Sequence, residues 1–233
     1  MWDAQVASLR GDVDRILAPS LPGFGGTPVP ARPPTLDDYA DTLVRHLDDA
    51  GVDRATVVGL SMGGYVALSL WRRHRERVSG LLLADTRAEA DDEAARDRRT
   101  KLAELVRERG TNALLLQPPK WVRDGSERWE AVKAMVRRQP AEAIAQGSMA
   151  IGGRASSLEL LPSIDVPTSV VVGAEDAITP PAMSETMAAK IPGATLEVIL
   201  HAGHLSNLDA PDVFDRAIGD LVRRVARARA GSD

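Results

Sequence analysis

The chain of 233 residues contains no cysteine. Disulfides, thiolate metal ligands and a cysteine nucleophile are therefore excluded. Lysine is scarce: four of the 29 basic residues are Lys and 25 are Arg. Such a bias signals anion recognition only if arginines converge on a pocket. There is no large excess of either charge. The formal net charge is −4, with both signs interspersed, which gives no electrostatic reason to expect a nucleic-acid partner. No stretch reaches about 18 uninterrupted apolar residues, and the acidic start "MWDAQVASLRGDVDR" lacks the apolar core of a signal peptide. The expectation is a cytoplasmic protein without a membrane partner. Internal repeats and low-complexity segments are also missing.

What is there alternates between short β-type runs and helical runs. "RILAPS" (15–20) reads as a strand, followed by the Gly/Pro-rich loop "LPGFGGTPVPARPP". A helix over 35–50 is signalled by Thr35 as N-cap, Asp37 and Asp38 in the first turn, an apolar stripe from Leu36 to Ala50, and Gly51 as stop. "ATVVGL" (55–60) and "VSGLLLADT" (78–86) are continuous apolar strands of the kind buried on both faces of a parallel sheet. Between them, 62–77 reads as a helix that turns basic at its end, as the helix dipole favours.

From Arg87 to about Leu160 no β-rich run occurs. Charged helical stretches (88–109, 126–138, 140–151) are broken by Gly110, Pro118, Pro119 and Pro140. Strands at 168–173 and 195–200, a helix at 181–191 and a final helix from about Pro211 complete the pattern, with the tail "ARARAGSD" expected to fray. The fold class implied is α/β, a mostly parallel sheet with flanking helices. Segments 1–86 and 161–233 form the core, and 87–160 is an inserted helical cap, or lid, over the sheet edge where the loops gather.

Within this frame "GLSMGG" (59–64) stands out. A serine hydroxyl is a poor nucleophile until a base takes its proton, and it must project beyond the sheet to meet a substrate. A strand turning sharply into a helix achieves this, with small residues two before and two after the serine to avoid clashes. Here those are Gly59 and Gly63 around Ser61. The amide of Met62, at the helix start, can donate to an oxyanion.

The base should be one of four histidines. His46 and His74 lie on polar helix surfaces. His201 and His204 lie in "LHAGHLSN", just after a strand, where catalytic groups gather in open parallel sheets. His204, beyond Gly203, is freer to reach across the edge, whereas His201 can simply close the strand. For the orienting acid, Asp176 follows strand 168–173 in a loop closed by Thr179-Pro180. Glu175 and Asp85 compete, and Asp176 can also be read as a turn or cap residue. Ser61, Asp176 and His204 fall in the chain order of one class of triad hydrolases.

Taken with "LPGFGGTP", "VVGLSMGGYVAL", "RRHRERVSGLLLADT", "IDVPTSVVVGAEDAITP" and "IPGATLEVILHAGHLSNLDAP", the chain resembles the α/β-hydrolase family over nearly its whole length. Within it, "GLSMGG", "RHRERV" and "LLLADTRAEA" look most like lactonases and esterases of the 3-oxoadipate enol-lactonase type. The resemblance implies a serine hydrolase with Ser61 as nucleophile, His204 as base and Asp176 as its partner, under a helical cap. One departure stands at the N-terminus. Family members begin with two antiparallel strands and a third strand ending in a His-Gly turn, whereas this chain starts within the helix that follows. Two arrangements are open: a shortened form of a longer protein, or strand 15–20 moving over to pair with 55–60 in a five-strand sheet. The family's second oxyanion donor follows that His-Gly, and loss of one such donor typically costs about 10²–10³ in rate. Ser20 also stands where the family usually has Asp.

Two function classes follow. One is an enzyme that cleaves a small carboxylic ester or lactone, or performs C–C hydrolysis or perhydrolysis with the same triad. The other is an impaired, hydrolase-like protein that binds a small ligand without turnover. Phe24, Trp121 and Trp129 are candidates to line the substrate pocket, with Met135 and Met149 beside them. Plain packing is the competing role for the Trp and Met residues. No metal, nucleotide or other cofactor signature is present: the glycines of "PGFGG" follow a strand but open no helix.

Overall fold

In the computed structural model, residues 1–11, 13–116 and 118–231 are described. Four strands, β1 (Ala55–Leu60), β2 (Val78–Ala84), β3 (Thr168–Gly173) and β4 (Thr195–Ile199), form one parallel sheet in the order β1-β2-β3-β4. Each expected strand from residue 55 onward is present. For β2 and β3 the apolar continuity has the anticipated cause, because alternate side chains are buried on both faces, whereas β1 is largely half-buried and β4, at the edge, exposes Thr195 to Val198. Leu81, Leu83 and Val170 enter one core, while Leu82, Ala84 and Val171 enter the other.

On the first face lie α2 (Leu36–Asp49), α3 (Met62–His74) and α7 (Pro181–Lys190), which contribute Tyr39, Leu68, Leu70 and Met187. On the second face α9 (Pro211–Ala230) lays down Phe214, Ile218, Leu221 and Val225, joined by Trp2 and Leu9 at the two ends of α1 (Asp3–Ser8). The start of α2 is a complete capping box: Thr35 Oγ accepts from the Asp38 amide at 3.2 Å and the Asp38 carboxylate accepts from the Thr35 amide at 2.8 Å.

The segment 15–20 is not a strand. It runs as irregular backbone, and the five-strand alternative is not formed. The run has a single inward anchor, Ile16, while Leu17 is 43% exposed and Pro19 removes a ladder donor. Nor does the C-terminal tail fray where expected: α9 continues to Ala230, and the last two residues lie outside the described ones.

Between β2 and β3 the chain forms α4 (Glu93–Arg109), α5 (Trp129–Arg137) and α6 (Ala141–Gly152), with no strand among the described residues. α4 and α6 share a small apolar cluster of Ala103, Val106 and Ala145. The two connections of this helical block to the sheet are tied together by one buried carboxylate. Asp91 pairs with Arg87, with Arg99 at 3.2 Å and with Arg154 at 2.9 Å, and Arg154 lies over the Tyr65 ring at 4.2 Å. These arginines therefore converge on an internal acid rather than on a ligand pocket. No helix among the described residues is long and apolar enough to cross a membrane.

Candidate active site

Three loops at the carboxyl ends of β1, β3 and β4 meet above the sheet. The first is the turn from β1 into α3. Ser61 sits there at φ 52° and ψ −114°, a strained conformation for a residue with a side chain. Its amide donates to the Ala84 carbonyl at 2.9 Å, and its own carbonyl accepts from Thr86 Oγ at 2.9 Å and from the Gly64 amide at 2.9 Å. The strain is thus held by the neighbouring end of β2. Gly59 is required by close approach: a Cβ there would lie 2.3 Å from the Gly63 carbonyl oxygen. The expected crowding at Gly63 is absent, since a Cβ there meets nothing within 4 Å. The crowded second glycine is Gly64, where a Cβ would lie 2.5 Å from Thr86. The clash at Gly59 comes from the backbone of 63, which explains why the motif looks symmetric in sequence while the space is not.

The second loop carries Asp176 and the third carries His204, each 3% exposed. His204 Nε2 lies 2.8 Å from Ser61 Oγ, and His204 Nδ1 lies 2.8 Å from Asp176 Oδ2. Asp176 is held by more than the imidazole. Its Oδ1 accepts from the amides of Ile178 (2.8 Å) and Thr179 (2.9 Å), and its Oδ2 accepts from Thr179 Oγ at 2.7 Å. Burial alone would raise this carboxyl. The His204 hydrogen bond and charge, with the amide and hydroxyl of Thr179, outweigh it and hold the group below its ordinary value. An ionised Asp176 fixes the proton on Nδ1 and leaves Nε2 as the acceptor facing Ser61.

The other candidates fall apart cleanly. His201 is on the surface, 3.8 Å from Glu175. His74 is paired with Asp41 at 2.7 Å, and His46 lies on α2. Asp85 is fully buried beside the site but makes no contact with a histidine; it accepts from the Gly173 amide at 2.8 Å and from Ser206 Oγ. Met62 opens α3, where its amide has no acceptor within the helix.

Phe24 packs against α6, and a Cβ on Gly147 would lie 3.2 Å from its ring and 3.7 Å from Met62 Sδ, so ring and elbow are neighbours. Trp121 borders the histidine loop, its carbonyl accepting from the Leu205 amide at 2.6 Å. Trp129 packs against it with the rings tilted by 38° and their centroids 6.0 Å apart. Met149 is 40% exposed and turned away from the interior. A surface cavity of about 350 Å³ between β4 and α9, lined by Thr195, Arg223 and Arg224, contains none of these residues. Among the described residues no cluster of His, Asp or Glu could hold a metal.

Sequence reasoning did not single out three residues. Thr179 was noted only as a loop closure. Asp209 accepts from the amides of Gly203 and Arg123, and Ser206 reaches Asp85. Each acts through a contact between separate loops, side chain to side chain for Ser206 and to backbone amides for Asp209, that no sequence spacing announces.

A parallel sheet flanked by helices, with a strained serine at a strand-to-helix turn, defines the class of α/β hydrolases. The model of the alpha/beta hydrolase family matches residues 1–217, and the chain belongs to that family. It is 29% identical over 230 residues to 3-oxoadipate enol-lactonase 2 of Acinetobacter baylyi, covering 96% of this chain and 84% of that one. It is 31% identical over 243 residues to a pimeloyl-acyl-carrier-protein methyl ester esterase of Aromatoleum aromaticum, covering 96% and 93%. Among solved structures, a thermophilic esterase from Thermogutta terrifontis superposes with a TM-score of 0.92 at 35% identity, covering 96% of this chain and 85% of that one. The enol-lactonase from Burkholderia xenovorans gives 0.85 at 30% identity, covering 95% and 85%. The chain is a hydrolase.

Proposed function

We propose that the protein cleaves a small carboxylic ester or lactone through an acyl-enzyme on Ser61. The observation that carries this reading is the continuous chain Ser61 Oγ–His204 Nε2, His204 Nδ1–Asp176 Oδ2, with both links at 2.8 Å. In the first half-reaction Ser61 Oγ attacks the carbonyl carbon while His204 Nε2 takes its proton. The Met62 amide, at the start of α3, donates to the oxygen that becomes negative. His204 then gives the proton to the leaving alkoxide, and the acyl group stays on Ser61. In the second half-reaction His204 deprotonates a water that attacks the acyl carbonyl, and the acid leaves with Ser61 restored. Asp176 stabilises the imidazolium formed in each half.

The relatives' names, an enol-lactonase, an esterase and a methyl ester esterase, support the ester or lactone class. The block 87–160 is a cap over the core formed by 1–86 and 161–233. Supporting this, it touches both sides of the triad: the elbow side through Gly147, which lies against Phe24 and Met62, and the histidine side through Trp121.

A fluorophosphonate probe should label the wild type and not Ser61→Ala. Hydrolysis of p-nitrophenyl acetate should fall by at least about 10⁴-fold in that variant. Equal labelling or equal hydrolysis in the two proteins would overturn the reading and leave a ligand-binding role without turnover.

A further inference from the structure

Asp209 lies outside the triad, at the end of the short helix α8 (Ser206–Asp209), five residues past His204. Its carboxylate faces two ways. Oδ2 accepts from the Gly203 amide at 2.9 Å, in the loop that carries His204. The same oxygen accepts from the Arg123 amide at 2.8 Å, in the cap, and Oδ1 accepts from Ser126 Oγ at 2.6 Å, also in the cap. Two further contacts close the seam. The Leu205 amide donates to the Trp121 carbonyl at 2.6 Å, and Gly203 is pressed so closely on the cap that a Cβ would lie 2.7 Å from the Arg123 nitrogen. His204 is thus bracketed by Gly203 and Leu205, each bonded to this seam.

We propose that Asp209 is a positioning residue that couples the seating of cap segment 121–126 to the alignment of His204 with Ser61. The inference rests on the triad reading above and goes beyond it. One oxygen serves both amides. Lifting the cap segment therefore removes a donor from the same carboxylate that holds the histidine loop. Conversely, displacement of the loop loosens the cap. Coupling of this kind is reciprocal in equilibrium free energy: a ligand on Ser61 that favours the aligned histidine loop favours the seated cap to the same extent. The chemistry needs an acceptor and not a charge, so an amide oxygen at position 209 can keep both backbone bonds, whereas a methyl cannot.

The test uses the whole chain in wild-type, Asp209→Asn and Asp209→Ala forms. With p-nitrophenyl acetate, Asp209→Ala should lose about tenfold or more in kcat with KM changed far less, and Asp209→Asn should recover most of the loss. Trypsin cleavage after Lys120, Arg123 and Arg128 supplies a readout that a merely structural role would not move. In the wild type, phosphonylation of Ser61 should slow this cleavage several-fold; in Asp209→Ala, driven to full labelling, it should not. Labelling of Asp209→Ala also reports that its elbow is folded, and Asp209→Asn carries the test should the alanine variant not fold. The proposal is overturned if free and phosphonylated wild type are cut at equal rates, if Asp209→Ala keeps the protection, or if Asp209→Asn is as impaired as Asp209→Ala. A wild type that takes no label at all sinks the triad reading itself, and this one with it.

Discussion

Asp85 directly follows β2 and Asp176 follows β3, the strand beside it, and both carboxylates are withdrawn from water. Burial pushes each of them up. Asp176 nevertheless ends below its ordinary value, because an imidazole, two amides and a hydroxyl converge on it. Asp85 ends well above. Burial dominates there, the negative Asp176 adds to it, and the hydrogen bonds from Ser206 and Gly173 only partly offset the two. Two acids of the same type on adjacent strand ends are thus driven in opposite directions. What separates them is the presence of a partner that can carry positive charge. The first is suited to hold an imidazolium. The second joins the ends of β2 and β3 to the loop after His204.

The comparison is broken most directly by exchanging each carboxylate for its amide. Asp176→Asn should lower kcat by about 10⁴-fold, because an amide at that position favours the wrong imidazole tautomer. Asp85→Asn should stay within about tenfold of wild type. Steady-state hydrolysis of p-nitrophenyl acetate reads both. If Asp85→Asn proved the more damaging of the two, the roles assigned to the two strand ends would have to be exchanged.

A smaller effect sharpens the description of Asp176. Thr179→Val keeps the shape of the side chain and both backbone amide bonds but removes the hydroxyl 2.7 Å from Oδ2. That hydroxyl also lies 3.3 Å from His204 Nδ1, so it helps to set where the shared oxygen sits. Loss of one hydrogen bond to a charged group should lower kcat/KM by about tenfold. An unchanged value would mean that the amides and His204 alone hold the carboxylate.

The contrast also shows what a sequence carries. The central strands were legible because continuous apolar runs such as "LLLA" (81–84) have only one way to be buried in a parallel sheet, whereas β4, "TLEVI", is a largely exposed edge strand. Ser61, Asp176 and His204 could be picked out as candidates because each follows a strand of the parallel sheet. Asp85 follows one too, and in sequence it competes with Asp176 on equal terms. Only the fold reveals that the histidine reaches one and not the other. The irregular 15–20 was misread because Ile16 and Leu17 look alike in a string, while just one of them packs inward. The crowding at the elbow was half legible: Gly59 follows from the motif, but the pressure on Gly64 comes from Thr86, on another strand end.

The smallest expected effect lies in stability, where the two acids should respond to pH with opposite slopes. Asp176 has a folded value below the unfolded one. Its contribution is present above the ordinary carboxyl value near 4 and is lost as pH falls through the lowered folded value. The stability of wild type relative to Asp176→Asn should therefore decline on acidification below about pH 4. Asp85 has a folded value above the unfolded one, so its protonated form suits the fold, and the penalty for ionising it builds as pH rises from about 4 through the raised value. Wild type should then lose stability relative to Asp85→Asn as pH rises over that window. Urea unfolding of the three proteins across pH 3–8 measures both differences, and each comparison cancels the titration of groups remote from the exchanged carboxylate. Parallel slopes would show that the two carboxylates share one environment, and that the division between an ionised partner of His204 and a buried strut at β2 does not hold.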